Sequence, residues 1–310
     1  MAASEKKINE GMEHISQAEK YLKTSFFKWK PDFDSASDEF SKAATCFKNA
    51  KSYDQAKTAY LRAAHALKNN HQLFHAAKAY EGAALMLKEM KNLDGAGDLM
   101  EQAAQMYREH GTPDTAALTL EKAAKMLENT RPEKAVELYE RACEVAELED
   151  RPRQAVNSLS QAAKLLVRIK EFDKAVAVLK REREIYAELE NLPSIYRNIV
   201  ATSLVHLQRG DFVAADQTLK HGLSYPGFAE NEMYNGLQQL LDAYDEQDQE
   251  RLNQVAWYPV FTYMDNDYAK LAKSIHVPGG GVKKPTSGAS EGAIGDDNEG
   301  EEDEYAGGLC

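Results

Sequence analysis

Cysteine is scarce in this chain: Cys46, Cys143 and Cys310 are its whole complement over 310 residues. They are too few and too far apart for a disulfide framework or for a zinc-binding spacing. No apolar run approaches the roughly twenty residues that a membrane-crossing helix needs. The first residues, with Glu5, Lys6, Lys7 and Glu10, hold no signal-peptide core. These absences point to a cytosolic protein. Catalytic signatures are missing too: there is no Gly-x-x-x-x-Gly-Lys-Ser/Thr loop, no His-Glu-x-x-His and no nucleophile elbow. Gly279 to Lys284 offers glycines and lysines, but without a preceding strand or a following hydroxyl. His71 and His75 are four apart, yet His71 belongs to a turn and no third metal ligand accompanies them. Asp265-Asn266-Asp267 begins like a calcium loop but lacks its glycine and closing glutamate. The chain is therefore not read as an enzyme, and no cofactor is expected.

Positive charge is also in short supply, but unevenly. Of the fifty acidic residues, eight (Glu291, Asp296, Asp297, Glu299, Glu301, Glu302, Asp303 and Glu304) follow Pro285, where no Lys or Arg occurs. Without them, 42 acids face 38 bases. The body is nearly balanced and the acidity sits in a tail, which argues against nucleic acid as a partner, since such proteins carry a basic face or stripe.

What is abundant is a period of twenty. Alanine recurs at Ala36, Ala56, Ala76, Ala96, Ala116, Ala135, Ala155, Ala175 and Ala215, with one step of nineteen and one copy, near Ile195 and Ile199, that replaces it. Four residues after each alanine stands a large apolar or aromatic side chain: Phe40, Tyr60, Tyr80, Met100, Leu120, Tyr139, Leu159, Leu179 and Leu219. Small residues follow, as at Ala63-Ala64 and Ala83-Ala84. The spacing i, i+4, i+7, i+8, i+11 lays this set along one helical stripe. A twenty-residue unit leaves about fifteen residues for helix and about five for a turn, and two units make an antiparallel hairpin. Pro113, Pro132 and Pro152 fall near helix starts, where a missing amide proton costs nothing. A hairpin cannot cover its own apolar stripe, so the hairpins must stack.

The expected fold is all-α: a right-handed solenoid of tetratricopeptide-like helical hairpins with a C-terminal helical bundle cap. Residues 1–31 form a leading helix, drawn over Lys7 to Lys23, and an aromatic loop. Residues 32–223 hold the repeats and 224–276 the cap. Within the cap, Met233 to Tyr244 gives one helix, Leu252 to Phe261 a second bent at Pro259, and Asp265 to Ile275 a last short one. Residues 277–310, rich in Gly, Ser and acid, are expected to be a disordered acidic tail.

One loop stands out. Phe26, Phe27 and Trp29 lie within four residues, interleaved with Lys28 and Lys30. Each buried large side chain contributes roughly 1.5–3 kcal/mol, and each lysine near anionic lipid about 1 kcal/mol. Such a segment suits a weak, reversible membrane contact. The plainer alternative is a staple folded back on the first hairpin.

Four stretches carry a resemblance: Ser25-Phe26-Phe27, Phe40 through Lys51, Gly111 through Ala117, and Tyr263 through Leu271. With the repeat pattern they resemble the SNAP family, the soluble attachment proteins of the membrane-fusion ATPase, and within it the gamma branch. The resemblance implies an adaptor in vesicular transport, ER–Golgi traffic included, peripherally associated with the cytosolic face of membranes. Its implied partners are the SNARE four-helix bundle of syntaxin type and the hexameric NSF ATPase. It implies membrane contact by Phe26 and Phe27, SNARE contact by Lys51 and Lys88, and ATPase contact by Leu309. Two lysines of the alpha branch fall instead on Leu118 and Asn157. The alternative to the adaptor is a generic tetratricopeptide-type scaffold for peptide tails, unrelated to fusion.

Overall fold

The computed structural model describes residues 2–24 and 29–279. The described chain is helical from end to end. A leading helix, α1 (Ala2–Leu22), precedes ten repeat helices: α2 (Phe33–Asn49), α3 (Tyr53–Asn69), α4 (Leu73–Glu89), α5 (Leu93–His110), α6 (Pro113–Leu127), α7 (Pro132–Leu148), α8 (Pro152–Arg168), α9 (Phe172–Glu188), α10 (Leu192–Gln208) and α11 (Phe212–Gly222). The cap comprises α12 (Glu232–Asp245), α13 (Gln249–Val255), α14 (Pro259–Thr262) and α15 (Asn266–Lys273). Up to α11 each helix packs chiefly on its predecessor and its successor, the nearest-neighbour order of a solenoid.

The alanine stripe is the seam of this stack. Ala36, Ala56, Ala76, Ala96, Ala135, Ala155, Ala175 and Ala215 are wholly buried. Side chains this small let helix axes approach closely, while Phe40, Leu120, Tyr139, Leu159 and Leu179 fill the grooves between them. Glycine serves the same end in α5, where Gly97 lies directly against the Leu127 side chain of α6.

The period has a different construction from the one expected. The unit is typically a seventeen-residue helix and a three-residue turn, not fifteen and five. Each turn is this short because one residue serves two helices. After α2, Lys51 takes a left-handed conformation (φ 59°), its N–H donates to the Lys48 carbonyl, and the Ser52 N–H donates to the Phe47 carbonyl. This is a Schellman closure, and Ser52 is already the N-cap of α3. The same bonds recur around His71, Lys91, Gly111, Asp150, Lys170, Glu190 and Gly210. The nineteen-residue step falls between α6 and α7. There no residue is left-handed, and the Thr130 and Arg131 N–H groups both donate to the Leu127 carbonyl.

Three further boundaries differ. Helix α1 begins at Ala2 rather than Lys7, and Ser4 Oγ donates to the Ala50 carbonyl 3.1 Å away, tying its start to the end of α2. Pro259 bends no helix; it occupies the first turn of a separate one, α14, because a proline ring clashes in a helix interior but suits a start. The last helix is shorter than drawn, with Asp265 as its N-cap residue. The Ile195 copy departs from alanine for a reason the cap supplies. Helix α10 packs against α9, α11, α12 and α15, so it is covered on nearly every side and its bulky Ile195, Ile199 and Leu204 are all buried.

Candidate functional site

Antiparallel stacking divides the turns between two edges of the array. The turns at 50–52, 90–92 and 169–171 lie on one edge; those at 70–72, 149–151 and 189–191 lie on the other, with the α1–α2 loop. The left-handed residues differ in charge accordingly. On the first edge stand Lys51, Lys91 and Lys170; on the second stand His71, Asp150 and Glu190. Lys88, in the last turn of α4, shares the first edge, and both Lys51 and Lys88 are exposed. They project from turns two helices apart, about 20 Å at ordinary helix spacings.

The described ends of the aromatic loop, 23–24 and 29–31, lie on the opposite edge, about 25 Å away along a seventeen-residue helix. Its ends are fixed: the Asp32 N–H donates to the Tyr21 carbonyl, and the Asp32 side chain accepts from the Ser35 N–H. Trp29 is 84% exposed and Lys30 is exposed as well. Phe26, Phe27 and Lys28 lie outside the described residues. Beside the fixed ends runs an open groove lined by Leu22, Phe33, Phe40, Leu61, Arg62 and His65.

Sequence reasoning missed a second basic feature. Lys78, Leu118, Asn157 and Arg197 are the sixth residues of α4, α6, α8 and α10, so they repeat along one face, and all four are exposed. That face is basic at Lys78 and Arg197 and uncharged between them. The twenty-residue register was enough to find this, had the polar positions been aligned as the alanines were.

At the far end the cap exposes Trp257 (66%) and Tyr263 (87%), with the Lys273 Nζ 3.5 Å from the centre of the Trp257 ring. The cap is bolted to the array by its acids. Asp267 accepts from Arg168, and Asp265 lies 3.6 Å from Lys164. The calcium-loop likeness of 265–267 thus dissolves into a helix start and two ion pairs. Beneath lies a polar cavity lined by Glu182, Tyr186, Asn198 and Tyr268. The Asn198 amide donates to Glu182 at 2.9 Å. Burial pushes the Glu182 carboxyl up, against hydrogen bonds from Asn198, Ser160 and Tyr186 that hold it down. Leu309 lies outside the described residues. Among the described residues no helix is long and apolar enough to cross a membrane. His71 and His75 form no three-ligand metal cluster among the described residues.

The sequence of this chain resembles known proteins. The family model described as soluble NSF attachment protein, SNAP, matches residues 9–275. The gamma-soluble NSF attachment protein of Dictyostelium discoideum is 30% identical over 274 residues, 88% of this chain and 84% of its own length. That of Arabidopsis thaliana is 24% identical over 149 residues, 48% of this chain and 51% of its own. Among solved structures, BtubC (BKLC) from P. vanneervenii has 16% identity and a TM-score of 0.38 over 72% of this chain and 90% of its own. Aspartyl phosphate phosphatase F from Bacillus subtilis has 16% identity and a TM-score of 0.40 over 79% and 68%. With its helical hairpins matched from α1 to the cap by one family model, the chain belongs to the soluble NSF attachment protein family.

Proposed function

We propose that this protein is an adaptor without enzymatic activity of its own. It grips a syntaxin-type SNARE four-helix bundle, recruits the hexameric NSF ATPase, and lets ATP hydrolysis pull the bundle apart during vesicular transport, ER–Golgi traffic included. Family membership motivates the reading, and one structural observation supports it most. The stack is a rod of mutually packed hairpins with basic side chains along its length, Lys78 and Arg197 on one face and Lys51 and Lys88 on one edge. A packed rod resists deformation and passes a pull from one end to the other. Basic contacts to an elongated helical partner are salt-sensitive and steer its approach.

The remaining roles divide by position. Phe26, Phe27, Lys28, Trp29 and Lys30 touch the cytosolic face of the membrane peripherally. Leu309 and the cap end meet the ATPase. Each contact is weak alone, and several copies around one bundle act together.

The decisive experiment is reconstitution. Purified protein should carry the ATPase onto a SNARE complex and ATP should then disperse it. The Phe26→Ser, Phe27→Ser double variant should lose liposome binding, and Leu309→Ala should lower the ATP turnover of the partner. Recovery of peptide tails from a pull-down without SNARE proteins or ATPase would instead establish the generic scaffold.

A further inference from the structure

Helix α1 carries Glu10 and His14 one turn apart and therefore on one face. The antiparallel α2 brings Cys46 onto that face. A Glu10 carboxylate oxygen, a His14 ring nitrogen and the Cys46 Sγ all lie within 4.8 Å of one another. The scattered cysteines that argue against a zinc site by spacing are thus no guide here, because the ligand set is assembled across two helices.

The geometry around His14 selects its ligand atom. Its Nδ1 lies 2.7 Å from Glu39 Oε2, and the other Glu39 oxygen accepts from the Lys42 Nζ at 2.6 Å. A carboxylate accepts, so Nδ1 is the donor to Glu39 and Nε2 is the ring nitrogen left for a metal. A carboxylate behind a histidine in this way is the usual outer support of a metal-binding imidazole. Cys46 is a half-buried free thiol. A divalent cation binds the thiolate and releases the thiol proton to solvent. Lys7, one turn before Glu10, and Lys42, bonded to Glu39, are nearby positive charges that such a cation must tolerate.

We infer that Glu10, His14 and Cys46 form a Zn²⁺ site, with water in the fourth position. Thiolate, imidazole and carboxylate together suit tetrahedral zinc and not magnesium or calcium, which take oxygen ligands. Bond lengths of about 2.0–2.3 Å place tetrahedral ligand atoms about 3.5 Å apart. The side chains need close by about 1 Å, which rotation of the exposed Glu10 and half-buried His14 supplies. The bound ion pins α1 to α2. None of this depends on the adaptor reading.

The test uses the full chain with Cys310→Ser, so that the tail thiol does not compete, and titrates Zn²⁺ and Co²⁺. One equivalent of Zn²⁺ should bind by calorimetry and slow amide exchange along α1. Co²⁺ should give intense tetrahedral visible bands and a near-ultraviolet thiolate-to-cobalt transition. Cys46→Ser should abolish that transition, and His14→Gln and Glu10→Gln should each weaken Zn²⁺ by about tenfold or more. Glu10 is exposed, so its variant leaves the fold intact. Absence of stoichiometric binding, a pale octahedral cobalt spectrum, or one-to-one binding that survives all three substitutions overturns the site.

Discussion

Arg168 and Asp267 meet in a two-pronged ion pair: Nε donates to Oδ1 at 3.3 Å and Nη2 to Oδ2 at 3.0 Å. The remaining Arg168 nitrogen donates to Glu128 at 3.2 Å, and Glu128 in turn accepts from the Tyr139 hydroxyl. One guanidinium therefore joins the end of α6, the end of α8 and the last helix of the cap. Its planar fork makes this geometry, which a lysine cannot reproduce.

Arg168→Lys should accordingly loosen the cap while leaving the repeats alone. Exposed pairs contribute about 0.2–1 kcal/mol, and a bidentate pair with a mostly buried acid belongs at the upper end of that range. A repeat array need not unfold as one unit, so global unfolding is a poor reporter. Hydrogen exchange is better: amides of α15 should exchange several-fold faster and those of α2 to α5 at the same rate. Uniform acceleration, or none, would show that Asp267 does not hold the cap.

Gly97 supplies a second test. A Cβ built there would meet the Leu127 Cγ at 2.6 Å and both Leu127 methyls at 2.8 Å, and Leu127 is almost fully buried. Neither partner has room to yield. Gly97→Ala should destabilise by about 1–3 kcal/mol through overpacking, despite the better helix propensity of alanine. Gly82→Ala also crowds a neighbour, Tyr60 at 2.9 Å, but that ring is only partly buried and can swing. Denaturation of both variants should rank Gly97→Ala well below Gly82→Ala; equal stabilities would sink the packing argument.

The sequence made the rod readable because its chief determinant is periodic. The alanine at Ala56 and the aromatic at Tyr60 repeat with the helix, and Pro113, Pro132 and Pro152 mark starts by a rule of local stereochemistry. The turns were illegible for an equally physical reason. Left-handed residues announce themselves when they are glycine, as at Gly111 and Gly210, but Lys51, Lys91, Asp150 and Glu190 adopt that conformation only because two flanking helices demand it. Three-residue turns therefore read as five. The cluster of Glu10, His14 and Cys46 was illegible too, since its members meet only after α1 and α2 pack. The acids at 265–267 were misleading because their basic partners, Lys164 and Arg168, lie a hundred residues earlier.

The left-handed turn residues give a paired prediction. Lys91 has φ 61° and Gly111 φ 86°, and nothing crowds a Cβ at Gly111. A side chain in this region costs roughly 1–2 kcal/mol, partly offset by the entropy glycine loses on folding. Lys91→Gly should stabilise by up to about 1 kcal/mol, and Gly111→Ala should destabilise by a similar amount. Thermal melts of the two variants should move in opposite directions. A shift of the same sign in both would mean that the turn conformation is not what sets their stability.

Glu182 carries a pH-dependent prediction. Burial raises its folded-state pKa above the unfolded value, more than the bonds from Asn198, Ser160 and Tyr186 lower it. The folded protein therefore holds a proton that the unfolded chain gives up. The stability linked to this group is fully present below the unfolded carboxyl pKa and is lost as pH rises through the raised one. Glutamine keeps an oxygen for the Asn198 amide and cannot ionise. Glu182→Gln should thus melt a few degrees above the parent at pH 8, and the difference should shrink towards zero near pH 4. Glu182→Leu leaves one Asn198 amide N–H without an acceptor while the other keeps the Leu179 carbonyl, and should be destabilised at every pH, because an unsatisfied buried donor costs about 1–3 kcal/mol. If Glu182→Gln gained nothing at alkaline pH, the carboxylate would have to be better compensated than its surroundings indicate. The polar cavity under α15 would then be a source of stability for the cap rather than a cost to it.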